Sequence, residues 1–194
     1  MSGGPFVVVL DLNGILADVR RREAAPVLHR KSDVVLPNGQ KAYMHPHCLK
    51  FLHAILALDG VRVVLYTSRL KHNSEPIERL LSPYISQVAA VLHGEECDEP
   101  DRGAIGSDRF HPIKTIGAVV DALIAGGAHR SNDPMTVIFL DDNPHRIRVA
   151  SQSLSPSVKV KMLRVGSYDA TQPSSTDVFL ADAWRDLRAA MHSA

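Results

Sequence analysis

At 194 residues, with 45% apolar residues and a formal net charge of +1, the chain has the make-up of one folded domain, residues 1–194. It has neither the basic block of a nucleic-acid arm nor the biased charge of a disordered tail. Cys48 and Cys97 are too few, and wrongly spaced, for a disulfide scaffold or a C-x-x-C site, which favours a reducing compartment, cytoplasmic or nuclear. No apolar stretch approaches the roughly 20 residues that cross a bilayer, and Met1–Pro5 lacks the charged start and apolar core of a leader. A soluble monomer is therefore expected, with no membrane and no direct nucleic-acid partner.

In chain order, the apolar run Phe6–Leu10 reads as a buried strand and delivers Asp11-Leu12-Asn13-Gly14 at its end. Between about Ala17 and Tyr43, the turn Pro37-Asn38-Gly39 separates Val34-Val35-Leu36 from Lys41-Ala42-Tyr43-Met44, the pattern of a β-hairpin flap. A helix over Pro46–Leu58 closes at Asp59-Gly60, and the strand Val61–Tyr66 then ends at Thr67-Ser68. A helix over Glu75–Leu81 and a strand over Val88–Leu92 follow. The segment from His93 to His111 is too long for an ordinary connection and is expected to wall a site.

Further along, a helix over Pro112–Ala125 closes at Gly126-Gly127, and Lys114 stands at its start. The strand Met135–Leu140 delivers Asp141-Asp142-Asn143-Pro144. The strand Val158–Leu163 alternates apolar residues with lysines, as an edge strand with one wet face does. The last helix begins near Thr176-Asp177, and its stripe of Leu180, Trp184, Leu187 and Met191 is expected to pack on the sheet. Strands alternating with helices predict an α/β fold of three layers around a mostly parallel sheet.

Two buried strands that end in carboxylates mark a site, because charge beside apolar strands is costly without a cation or donor, and open α/β sheets bind ligands at their strand ends. Asp11, Asp141 and Asp142 repel one another and need a cation to stay ionised together. Magnesium suits such an oxygen donor set. Asp11 has the placement of a nucleophile toward a phosphoryl group, Thr67-Ser68 offers a hydroxyl and successive amides, and Lys114 offers positive charge. A zinc site at His45-x-His47-Cys48 is set aside, since these residues open a helix far in sequence from the acidic cluster.

This order of carboxylate, hydroxyl, lysine and carboxylate pair resembles the haloacid-dehalogenase (HAD) superfamily, and within it the FCP-type, or NLI-interacting-factor-like, small CTD phosphatases. Their D-L-D-x-T-L motif resembles Asp11-Leu12-Asn13-Gly14-Ile15-Leu16, and their R-P-x-x-x-x-F-L tract resembles His45-Pro46-His47-Cys48-Leu49-Lys50-Phe51-Leu52. Their F-T-A-S motif resembles Tyr66-Thr67-Ser68-Arg69, their D-P-V-x-x-L-L tract Glu75–Leu81, their lysine motif Ile113-Lys114, and their V-D-D/N-S-P motif Leu140–Pro144. The resemblance implies a HAD-like Rossmannoid domain without a large cap and a magnesium-dependent phosphatase acting on phosphoserine or phosphothreonine in proteins. Under it, Asp11 is the nucleophile; Asp11, Asp142, Asp141 and the Asn13 carbonyl form the metal site; and Thr67, Ser68, Arg69, Lys114 and Asn143 meet the substrate.

Two departures carry consequences. The family's second aspartate, its general acid and base, is Asn13 here, and an amide exchanges no proton at neutral pH. Turnover is therefore expected to suffer more than binding, and the alternative to an enzyme is an FCP-like module that binds a phosphoprotein or a protein partner. The arginine of the family's R-E-S-C tract is missing at Gly94-Glu95-Glu96-Cys97. Asn13-Gly14 is also a dipeptide prone to deamidation, which would make a carboxylate at this position.

Overall fold

The computed structural model describes residues 5–20, 27, 30–82, 84–98, 112–148, 155–172 and 176–193. In chain order the elements are β1 (Phe6–Leu10), β2 (Ala17–Arg20), β3 (Val34–Val35), β4 (Lys41–Met44), α1 (Cys48–Leu56), β5 (Val61–Tyr66), α2 (Lys71–Leu80), β6 (Ala90–Leu92), β7 (Lys114–Thr115), α3 (Ile116–Ala125), β8 (Met135–Asp141), β9 (Ile147–Arg148), β10 (Val158–Arg164) and α4 (Thr176–His192). The centre is a five-stranded parallel sheet in the order β10-β8-β1-β5-β6, with β10 on an edge as its lysines require.

Period-two alternation divides the core between the two faces of this sheet. Val8 and Leu10 of β1 join Phe51, Leu52 and Ile55 of α1, Ile77 of α2, and Leu180 and Leu187 of α4. Val7 and Val9 turn the other way, to Ile116, Val119 and Leu123 of α3 and Phe139 of β8. The result is a three-layer α/β arrangement. Trp184 and Met191 pack against the first cluster at its margin, so the whole predicted stripe of α4 faces inward. Burying each such large apolar side chain is worth about 1.5–3 kcal/mol.

The flap is present and has one strand more than the hairpin reading. β2, β4 and β3 form an antiparallel sheet in that order, closed by a turn in which Leu36 N–H donates to Gln40 O and Gly39 takes φ +80°. Among the described residues this small sheet is the insertion between β1 and α1, and no large cap is found there. No described helix is long and apolar enough to cross a membrane. Of the segment from His93 to His111, a 3-10 turn spans Gly94–Glu96, Asp98 bridges to Ile113, and residues 99–111 lie outside the described ones.

Several boundaries differ from the sequence reading, α1 for one running Cys48–Leu56 rather than Pro46–Leu58, and three of the differences shape the surroundings of the site. α2 begins at Lys71 rather than Glu75, with Pro76 inside it, because the carboxylate of Glu95 caps its first turn from another loop, accepting from Lys71 N–H at 3.0 and 3.1 Å. β6 begins at Ala90 rather than Val88, just after a 3-10 turn over Tyr84–Gln87. Lys114 lies in a short strand ahead of α3, because β7 pairs with β9, and the helix starts where the Thr115 hydroxyl accepts from Ala118 N–H at 3.2 Å.

Candidate active site

Strand register builds the site. Leu10 stands opposite Leu140, so the next residues, Asp11 and Asp141, leave the sheet side by side, and Asp11 N–H donates to Leu140 O at 3.1 Å. Lys114 arrives from β7, fully covered, and its Nζ lies 2.9 Å from Asp11 Oδ1 and 2.7 Å from Asp141 Oδ2. Tyr66, at the end of β5, supports this lysine from below. Its ring centroid is 6.0 Å from Nζ, while its hydroxyl donates to Glu96 O at 2.9 Å and accepts from Thr115 N–H at 3.2 Å. The motif resemblance includes Tyr66 but gives it no role in supporting Lys114.

Asp142 closes the cluster. The carboxylates of Asp11, Asp141 and Asp142 each bring an oxygen within 4.8 Å of the others. Gly14, at φ +88°, makes the approach possible, because a Cβ there would overlap the Asp142 carboxylate. Both oxygens of Asp141 are engaged, Oδ2 by Lys114 and Oδ1 by Asn143 N–H at 2.7 Å, so this residue orients its neighbours. Three carboxylates against one ammonium leave an excess of negative charge, and hard, closely set oxygens are the donor set of a magnesium ion. The oxygens of Asp11, Asp141 and Asp142 thus suit the metal that the family resemblance implies.

Electrostatics follow the same geometry. Burial pushes the Asp11 carboxyl up from 3.8 to about 7; the Lys114 charge works against this, and Asp141 and Asp142 work with it. Burial also disfavours the Lys114 ammonium, but Asp11 and Asp141 outweigh it and hold its pKa above the ordinary lysine value.

A cleft of about 480 Å³ opens over the cluster, lined by Asp11, Asn13, Ser68, Arg69, Lys114 and Asn143 among others. Thr67 stands apart from that lining. It is 2% exposed, and its hydroxyl accepts from Arg69 N–H at 3.2 Å, fixing the turn that presents Ser68 and Arg69. Gln40 from the flap and Asn73 from α2 also reach the cleft. Their residue types alone gave no signal, since only the flap's closure and the early start of α2 bring them there.

Asn13 faces both ways. Its backbone N–H lies 3.4 Å from Asp11 Oδ1, while its side-chain Oδ1 accepts from Val19 N–H at 3.0 Å, tying the amide into the flap.

Other candidate ligands are used structurally. His45 packs against Tyr168 with tilted rings, centroids 4.8 Å apart, and its Nδ1 accepts from His47 N–H, while burial pushes the Cys48 thiol up to about 11, which disfavours the thiolate zinc needs. Cys48 and Cys97 are both free thiols. His93, Glu95 and Glu96 also gather, but His93 Nε2 meets Glu78 at 2.9 Å, Glu95 caps α2, and Glu96 accepts from His93 N–H at 2.7 Å.

With a parallel sheet ending in this carboxylate–lysine cluster, the chain has the frame of a HAD-type phosphatase. It belongs to the NLI interacting factor-like phosphatase family, whose model matches residues 6–159. No curated protein matches the chain. Among solved structures it is similar to the fission yeast RNA polymerase II CTD phosphatase Fcp1, there a variant bound to beryllium fluoride, with 15% identity and a TM-score of 0.43 over 73% of this chain. The chain spans 40% of that protein's chain.

Two outcomes are expected of this geometry. Between pH 3.8 and about 7 the folded, metal-free chain holds a proton on Asp11 that the unfolded chain releases, so Asp11 weakens the fold as pH rises through that window. The Tm of the wild type minus that of Asp11→Asn, in chelator, is expected to fall across it; a flat difference contradicts the raised pKa. Deamidation requires Gly14 N to attack Asn13 Cγ, but Gly14 N–H donates to Ala17 O at 2.7 Å and Asn13 Oδ1 is held by Val19. Mass spectrometry of aged protein is expected to show slower deamidation at Asn13 in the folded chain than in its excised peptide, and equal rates would show that these bonds do not protect it.

Proposed function

We propose that the chain is a magnesium-dependent phosphatase for phosphoserine and phosphothreonine in proteins, working through a phosphoaspartate on Asp11 with turnover limited by Asn13. The observation that carries this reading is the clustering of Asp11, Asp141 and Asp142 at the mouth of the cleft, with buried Lys114 pairing with Asp11 and Asp141. Family membership supports it.

Asp11 Oδ1 is engaged by Lys114, which leaves Oδ2 to attack phosphorus in line. The new P–O bond forms as the bond to the serine or threonine oxygen breaks. Asp11, Asp141 and Asp142 would hold magnesium, which would supply positive charge against the charge on the phosphoryl group. Lys114 stabilises negative charge on the transferring group, and Ser68, Arg69 and Asn143 meet its oxygens from the walls, with Thr67 holding the Ser68-Arg69 turn. The departing alkoxide must then take its proton from water, and water must open the phosphoaspartate without a base, because Asn13 offers neither. Losing general acid–base help costs about 10²–10⁴ in rate.

The second reading, a module that binds a phosphoprotein without turning it over, draws on Asn13 itself, since its amide oxygen serves the flap through Val19.

An aryl phosphate, whose leaving group needs little protonation, separates the two. Hydrolysis is expected with magnesium and is expected to vanish in Asp11→Asn, while Asn13→Asp is expected to raise turnover by about 10²–10⁴. If Asn13→Asp stays folded and yet hydrolyses neither aryl phosphate nor phosphopeptide, the binding module is the correct reading.

A further inference from the structure

We propose that Arg69 and Asn73 form a two-point reader of a phosphorylated residue, the Arg69 guanidinium taking phosphate oxygens and Asn73 Oδ1 taking a main-chain N–H of the same substrate. The inference rests on the phosphatase reading of the cleft and names the group that the cleft selects.

Both residues line the cleft that holds Asp11 and Lys114. Each has an unmet polar atom. Arg69 Nε and Asn73 Oδ1 are closed off from solvent and have no hydrogen-bond partner among the described residues. Their needs are opposite, the first a donor and the second an acceptor, and they do not pair with each other. A bare anion would answer only the guanidinium. A phosphorylated residue within a peptide carries both complements, anionic oxygens and an amide N–H, a short distance apart.

Charge points the same way. Lys114 already serves Asp11 and Asp141, so a phosphate dianion beside three carboxylates gains from a second protein cation. Arg69 is tethered by a neutral contact, its Nη1 donating to Gln40 Oε1 at 2.6 Å, and among the described residues it makes no close ion pair, the Asp11 carboxylate acting on it at longer range. Its guanidinium presents paired donors that fit phosphate.

The backbone of Arg69 is held where this requires. Gly94 N–H donates to Arg69 O at 2.6 Å, and a Cβ at Gly94 would lie 2.8 Å from Ser68 O and 3.1 Å from Arg69 C. A side chain at position 94 would displace this backbone. Since both unmet atoms are shut from solvent in the unliganded chain, the ligand engages them after side-chain rotation, the guanidinium turning on its Gln40 tether. Each atom gains its first partner in doing so.

The test reads binding alone. With magnesium fixed, the dissociation constant of inorganic phosphate is taken from the rise of Tm with phosphate concentration. That of a short peptide carrying the non-hydrolysable phosphonomethyl analogue of phosphoserine is taken by calorimetry. Arg69→Ala is expected to weaken both ligands by about 10- to 100-fold, with Arg69→Lys between it and the wild type. Asn73→Ala is expected to weaken the peptide by roughly 2- to 10-fold and to leave inorganic phosphate unchanged. Should Arg69→Ala fail to fold, Arg69→Gln, which can still donate to Gln40, carries the same expectation. If the arginine variants bind phosphate as the wild type does, or if Asn73→Ala leaves the peptide unaffected or weakens phosphate equally, the reader is overturned while the phosphoryl site stands. If the wild type binds no phosphate with magnesium present, the phosphatase reading falls and the reader with it.

Discussion

One ammonium shared by two buried carboxylates organises this molecule. Lys114 Nζ sits within 3 Å of both Asp11 and Asp141, and all three residues are covered by the sheet and its loops. Ions so placed hold their charge only while the partners remain, and removing one member of such a set costs about 3–5 kcal/mol because it leaves a buried charge uncompensated. The surrounding structure keeps the members in place. The β1–β8 register sets the two aspartates side by side, the β7–β9 pairing delivers the lysine, and Tyr66 ties the lysine's segment to the end of β5. An acidic residue beyond this trio, Asp142, then gives the cluster the negative excess that a divalent ion and a phosphoryl group can use together.

The flap and the Ser68–Asn73 segment form the remaining walls, and they meet each other at Gln40 and Arg69. Asn13 lies between cluster and flap, its N–H toward Asp11 and its amide oxygen on Val19. That position separates two properties that one aspartate would combine. The amide keeps the hydrogen bond to the flap, and on the proposed reading it gives up the proton transfer that would release product. On the proposed phosphatase reading, affinity for a phosphorylated ligand and the rate of its turnover are set by different residues.

Much of the frame was legible in the sequence because burial on both faces writes itself as unbroken apolar runs. Phe6–Leu10 and Val61–Tyr66 have the bounds the pattern implies, and the lysines of Val158–Leu163 mark an edge strand. The carboxylates were legible for the complementary reason, that charge at the end of such a run demands a partner. What stayed hidden depends on contacts between distant segments. The early start of α2 needs Glu95, and Pro76 reads locally as a helix start. A two-residue strand such as β7 has no periodicity to detect. Tyr66 reads as one more buried aromatic, and Gln40 and Asn73 read as ordinary polar surface, until the flap and α2 bring them around the cluster.

The central claim is that Asp11 receives the phosphoryl group and that Asn13 slows its release. Intact-mass spectrometry of the wild type mixed rapidly with magnesium and an aryl phosphate tests it directly, followed by mapping of the modified peptide. The account predicts a mass increment of one phosphoryl group on Asp11, persisting longer than in Asn13→Asp and absent from Asp11→Asn. Aryl phosphate consumed with no covalent increment at any time point, or an increment that survives Asp11→Asn, would contradict it.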